Sequence, residues 1–189
     1  TGMEKWFGYK IRNGTIVNEL KRPVSVITHA YLHEIGWQSV DTLLKSVPLL
    51  IIGVLFTALT LPSLENFIGF VASVFLGFNL MIAVTMNTSM LVFWTKIDGG
   101  LRFTRSSLVS FLSGVIFPLY LLPEGLRQIF YALPFHLMVD GPINVFLMNR
   151  TGSAIIDLLL QQVMWIIIFS ITAYLLWRKA QKKMTIQGG

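Results

Sequence analysis

Residues 67–94, FIGFVASVFLGFNLMIAVTMNTSMLVFW, contain no Asp, Glu, Lys or Arg. About 20 predominantly apolar residues cross the hydrocarbon core of a bilayer as a helix, and this run exceeds that length. Inside lipid every backbone N–H and C=O must be satisfied internally, which leaves helices and closed barrels. A run with no polar alternation reads as a helix. The rest of the chain agrees. Of its 189 residues 54% are hydrophobic and 13% charged, against about a quarter charged in soluble domains. The mean hydropathy is +0.67.

Three other blocks approach spanning length. The first, VPLLIIGVLFTALTL, is short alone, but residues 40–44 extend it to a span over 40–61. Pro62 and Ser63 end it, and Asn66 is placed to cap the span over 67–94. The third, LVSFLSGVIFPLYLL, starts at Ser106 and Ser107 and gives a span over 106–122. The fourth, IIDLLLQQVMWIIIFSITAYLLW, covers 155–177. The fold class expected is therefore all-α transmembrane with about four spanning helices.

Charge orients these spans. Thirteen basic residues fall on one side: Lys5, Lys10, Arg12, Lys21, Arg22 and Lys45 before the first span, Lys96, Arg102 and Arg105 between the second and third, and Arg178, Lys179, Lys182 and Lys183 after the fourth. The other side receives Arg127 and Arg150. Basic residues concentrate on the cytoplasmic side, so both ends of the chain are expected there. The net charge of +6 is a topology signal, and no aromatic-plus-basic pattern of nucleic-acid binding accompanies it.

Between the third and fourth spans the chain stays at the outer surface over 123–153. Leu126, Ile129, Phe130 and Leu133 take one helical face and Glu124, Arg127 and Gln128 the other, the pattern of an interfacial amphipathic helix. Pro123 opens it and Pro134 stops it before Phe135. A second short piece is broken at Asp140, Gly141 and Pro142. The pair forms a non-spanning hairpin. As a surface loop it is inert; as a lid it covers the outer end of a path. Rows of small residues, Gly69, Ser73 and Gly77 in the second span and Ser106, Ser110 and Gly114 in the third, allow close helix packing in lipid.

Polar residues inside spans need protein or water around them. Asn79, Asp157, Gln161 and Gln162 are candidates to line a path, or else to pack. His29, His33 and Glu34 have the spacing of a possible metal pair but no third ligand, so no metal is expected. There is no Cys, and no catalytic constellation or phosphate-cradling loop is present. The chain is not expected to be an enzyme or to hold a cofactor, and ATP must bind elsewhere.

With those motifs in view, SGVIFPLYLLPEGLRQIFYALPF, then PINVFL, QQVMW and the basic tail ending in QGG resemble the C-terminal part of ABC-2-type transporter permeases, the membrane subunits of bacterial ABC exporters. IRNGTIVNELKRPV is similar to that family's cytoplasmic segment between its second and third spans. The most specific positions are Gly114, Pro118, Leu119, Pro123, Leu133, Pro134 and Phe135, with Gln162 and Trp165. The resemblance implies a six-span permease of which this chain holds spans three to six. The elbow helix and first two spans would lie upstream, consistent with a chain that begins at Thr1. It implies a cytoplasmic coupling segment and approach helix over 1–39, a transmembrane domain over 40–189 and a cytoplasmic tail over 178–189. Partners would be two cytoplasmic ATPase subunits carrying ATP and Mg, a second permease subunit (identical or a sister) and membrane lipid. The ATPases would contact residues 10–21 through Ile11, Ile16, Val17, Leu20 and Lys21. Such a complex would move an amphiphile (drug, lipid or glycan-lipid) across the bacterial inner membrane by alternating access. A membrane assembly protein without an ATPase, or an integral-membrane metalloenzyme using His29, His33 and Glu34, are the alternatives.

Overall fold

The computed structural model describes residues 2–56 and 62–187. Among them the regular structure is helical: α1 (Met3–Arg12), α2 (Ile16–Leu20), α3 (Val26–Phe56), α4 (Leu64–Thr95), α5 (Gly99–Leu112), α6 (Glu124–Ala132), α7 (Asp140–Phe146) and α8 (Ser153–Gln187), with short 3-10 turns at Leu119–Leu121 and Pro134–Met138. The all-α class is what the apolar runs predict. Two of these helices, α4 and the stretch Ser153–Lys183 of α8, are long and apolar enough by themselves to cross a membrane. The first expected span continues α3, and its residues 57–61 lie outside the described residues.

The centre is a parallel pair, α4 and α8, whose contacts advance together along both helices. Gly69 of α4 lies against Ile155 at the start of α8, Ser73 against Gln162, Asn87 against Phe169 and Thr172, and Phe93 against Trp177 at a ring separation of 5.8 Å. The first row of small residues makes this approach possible. A Cβ on Gly69 would stand 2.7 Å from the Ile155 side chain, and one on Gly77 would stand 3.0 Å from the Met138 carbonyl oxygen. Lipid provides no hydrophobic drive between helices, so close van der Waals contact of this kind holds them.

Two apolar cores lie along the pair. At the end of α4 that carries Thr95, Met3, Phe7, Val26, Met90, Phe93 and Trp177 pack together. At the opposite end Leu80, Leu137, Val145, Ile155 and Leu158 do the same. Most basic residues gather at the first end, where α1, α2, the α4–α5 connection and the tail of α8 meet. The hairpin occupies the second.

The third expected span is a correction. The block 106–122 is not one helix. α5 starts earlier, at Gly99, and stops at Leu112. Its 14 residues rise about 21 Å, short of the roughly 30 Å hydrocarbon core. Gly114, at φ +87, takes the left-handed conformation that ends helices. Pro118 would clash with the Gly114 carbonyl if the helix continued. The second row of small residues therefore does not act as a unit. Ser106 is exposed, Ser110 half-buried, and Gly114 is a turn residue. Helix starts differ too. Ser63, not Asn66, caps α4, its Oγ accepting from the Asn66 N–H at 3.3 Å. The Asp140, Gly141, Pro142 stretch opens α7 rather than breaking a helix, with Pro142 in the first turn where no intrahelical N–H bond is lost.

The glycines set a graded test. Gly77→Ala forces backbone apart and is expected to cost about 1–3 kcal/mol. Gly125→Ala in α6, where the added methyl meets nothing within 4 Å, is expected to be neutral or to stabilise by up to about 1 kcal/mol. Thermal melts of the two variants in detergent check the order.

Candidate functional site

The segment over 10–21 is two helices, not one. Asn13, Gly14 and Thr15 separate α1 from α2, and Gly14 sits at φ +67 in open space. The reversal takes Ile11 and Ile16 to the inside and leaves Val17 and Leu20 outside. Ile16 belongs to the core beside Phe7 and Trp177, and Ile11 packs against it. Val17 is 50% and Leu20 43% exposed, with exposed Val24 and Lys21 close by in sequence. The single apolar stripe expected there is thus divided into an anchoring half and an outward half.

A buried carboxylate fixes α2. Glu19 is almost fully covered; Lys10 Nζ of α1 donates to its Oε1 at 2.7 Å. Arg22 Nε stands 3.4 Å from Oε2 and His29 Nδ1 of α3 stands 3.2 Å from it. The hydrogen bond from Lys10, outweighing desolvation, holds the Glu19 carboxyl below its ordinary pKa. Arg12 Nη1 donates to Asp98 Oδ1 at 2.6 Å, joining α1 to the α4–α5 connection, and this bond lowers the Asp98 pKa in the same way. Lys10 also lies 5.0 Å over the Trp6 ring. His29 faces Glu19 while His33 is exposed, and no group of three or more metal-ligating side chains converges among the described residues.

One constellation has no counterpart in the sequence reading. Arg105 Nε of α5 donates to Glu4 Oε1 of α1, and Thr88 Oγ1 of α4 donates to the same oxygen at 3.1 Å. Glu4 is fully buried. Glu34 of α3, also buried, accepts from Gln38 Nε2 and feels both Glu4 and Arg105. Glu4 and Arg105 are 101 positions apart, so no local spacing announces the pair. The available signal is a carboxylate among apolar aromatics, in MEKWF.

The hairpin end is gripped by amides. Asn66 Nδ2 of α4 donates to the Val145 carbonyl at 2.7 Å and to the Arg150 carbonyl at 2.8 Å. Gln162 Nε2 of α8, fully buried, donates to the Leu137 carbonyl at 2.8 Å and to the Ser73 carbonyl at 2.9 Å. Two side chains thus donate to three hairpin carbonyls, those of Val145, Arg150 and Leu137. Asn79 binds Tyr31 of α3 and its own helix at the Phe75 carbonyl. Asp157 and Gln161 are exposed and do not converge with Gln162.

Within the hairpin, Pro123 precedes α6, and Glu124 pairs with Arg127 one turn on. The expected amphipathic face is only partly used. Phe130 is buried against Phe111 and Phe117, whereas Leu126 and Ile129 are exposed. Pro134 is buried and Phe135 half-buried at the following turn. His136 is buried with Nδ1 2.7 Å from the Leu133 carbonyl oxygen.

Two measurements follow from this geometry. Glu19 and Asp98 have lowered pKa values, so their contribution to stability is complete above the unfolded-state values, near 4, and disappears as pH falls through the lower folded ones. Melting temperature should therefore fall on acidification below about pH 4, and less steeply in Glu19→Gln/Asp98→Asn. Gln162→Leu removes a buried donor to the Leu137 carbonyl and should cost about 1–3 kcal/mol. Exposed Gln161→Leu should stay within about 0.5 kcal/mol. Thermal melts of the two compare them directly.

A family model described as ABC-2 family transporter protein matches residues 2–188. No curated protein and no solved structure matches the chain. The match covers the basic-end helices, the central pair and the hairpin alike. The chain belongs to the ABC-2 family of transporter proteins and is a membrane permease subunit of an ABC transporter.

Proposed function

We propose that this subunit works in an exporter of the bacterial inner membrane, moving an amphiphile outward by alternating access. Separate ATPase subunits supply the energy from the cytoplasm, and a second permease subunit completes the path. The thirteen-to-two division of basic residues supports a cytoplasmic position for α1, α2 and the tail of α8, with the hairpin outside.

The observation that carries the reading is α2. It presents Val17 and Leu20 outward, a small apolar patch beside Lys21 of the kind a partner groove accepts. Its inner side is locked by Ile16 and by Glu19 to α1 and α3. A push on such an element moves the helices bonded to it instead of being absorbed by a loose loop. At the other end the clamp by Asn66 and Gln162 favours a hairpin that travels with α4 and α8 rather than a free flap.

Val17→Asp/Leu20→Asp should release the ATPase from the purified complex, with affinity reduced about tenfold or more, as loss of anchoring contacts does. The melting temperature should stay near that of the unaltered protein, because both positions are exposed. Ile16→Asp is unsuitable, since it puts a charge in the core. Pull-down of the ATPase by the full-length permease checks this. Undiminished binding by the double variant would remove α2 as the coupling element.

A further inference from the structure

Between α1, α3, α4 and α5 lies a pocket of about 450 Å³, lined by Glu34, Trp37, Gln38, Met81, Arg102 and Arg105 among others. Its size suits an organic head group better than a bare ion. Its charges are not all paired. Asp41 on its wall is paired with Lys45 at 2.6 Å and solvated. Arg102 is exposed at the rim. At the buried wall Glu34 stands beside Arg105, whose guanidinium is taken by Glu4 behind the wall. Glu4 is 0% and Glu34 2% exposed, and each has one oxygen, Oε2, buried with no hydrogen-bond partner. A buried charge left one partner short is costly, and inside a membrane protein such a group marks a ligand or ion path.

We propose that this pocket binds the ammonium group of a cationic amphiphile, with Glu34 as its counter-ion and the Trp37 ring as a cation–π wall. The proposal rests on the exporter reading for its purpose and names the substrate class. Glu34 supplies the missing pairing through Oε2 while Oε1 stays with Gln38. Trp37, at the pocket and 55% exposed, offers an aromatic face to the cation. Above the pocket a second cavity of about 340 Å³ shares Gln38, Thr42 and Met81 with it and continues along Val74, Phe78 and Val109. That is an apolar track on which the tail of the same molecule lies.

The test uses the full-length permease with its ATPase in lipid nanodiscs. Two fluorescent probes with one tail are compared, a dodecyl trimethylammonium and a dodecyl sulfonate. Saturable binding of the ammonium probe and none of the sulfonate is expected. Glu34→Gln, which keeps the shape and the Gln38 bond, should weaken it about tenfold or more. Trp37→Leu should weaken it about two- to fivefold. Equal binding of both probes overturns the proposal. So does unchanged affinity in Glu34→Gln, which would mean that Glu34 carries a proton only. Should Glu34→Gln fail to fold, Trp37→Leu at its exposed position decides, and unchanged affinity there overturns the assignment. ATP-driven uptake into inverted vesicles separates the two readings. Uptake of the sulfonate without ammonium binding sinks the pocket and leaves the exporter, whereas ammonium binding with no ATP-dependent uptake of any amphiphile sinks the exporter and leaves the pocket.

Discussion

The close parallel contact of α4 with α8 is the constraint on which the remaining structure depends. Gly69, Ser73 and Gly77 strip that face of α4 to near-backbone thickness, so Ile155, Gln162 and the turn at Met138 come within van der Waals reach. Other elements then attach to α4 through single polar handles. Asn66 takes the hairpin carbonyls, Asn79 takes Tyr31 of α3, Asn87 takes α8 and Thr88 takes Glu4 of α1. In a low-dielectric surround each unmatched polar group is expensive, so each handle specifies one partner in one register.

The two ends of this pair are tied down by different chemistry. At the basic end the ties are ionic, Glu19 with Lys10 and Asp98 with Arg12. At the hairpin end they are neutral amide-to-carbonyl bonds, which carry no charge to desolvate. This division follows the surroundings. Ion pairs are tolerable beside water, where their ions keep part of their hydration, and costly deeper in. The Glu4 and Arg105 pair lies at the basic end too, but both of its ions are buried.

Much of this was legible in the sequence. The uncharged run over 67–94 and the block over 155–177 lie in the helices that, among the described residues, satisfy the length and apolarity of a span. Pro123 and Pro134 mark the ends of α6. Elsewhere, local signals were present but outvoted. Gly114 and Pro118 stand inside an apolar run, and hydropathy alone does not register that they bend it into a half-length helix and a turn. The two rows of small residues look alike in sequence, yet one is the central contact and the other leads into a turn. Gln161 and Gln162 are adjacent, and the 100° between successive helical residues separates exposure from full burial.

The sequence by itself determined the all-helical class, the two dominant spans, the charge asymmetry and the presence of a broken hairpin. Each of these follows from periodicity, composition or backbone chemistry within a few turns of chain. Only the tertiary structure decided which polar residues pair. Bonds such as Glu4 with Arg105, Asn66 with Val145 and Gln162 with Leu137 join positions 101, 79 and 25 residues apart. Such partners meet only after the helices have packed, because a hydrogen bond depends on distance and angle in space and leaves no trace in spacing along the chain.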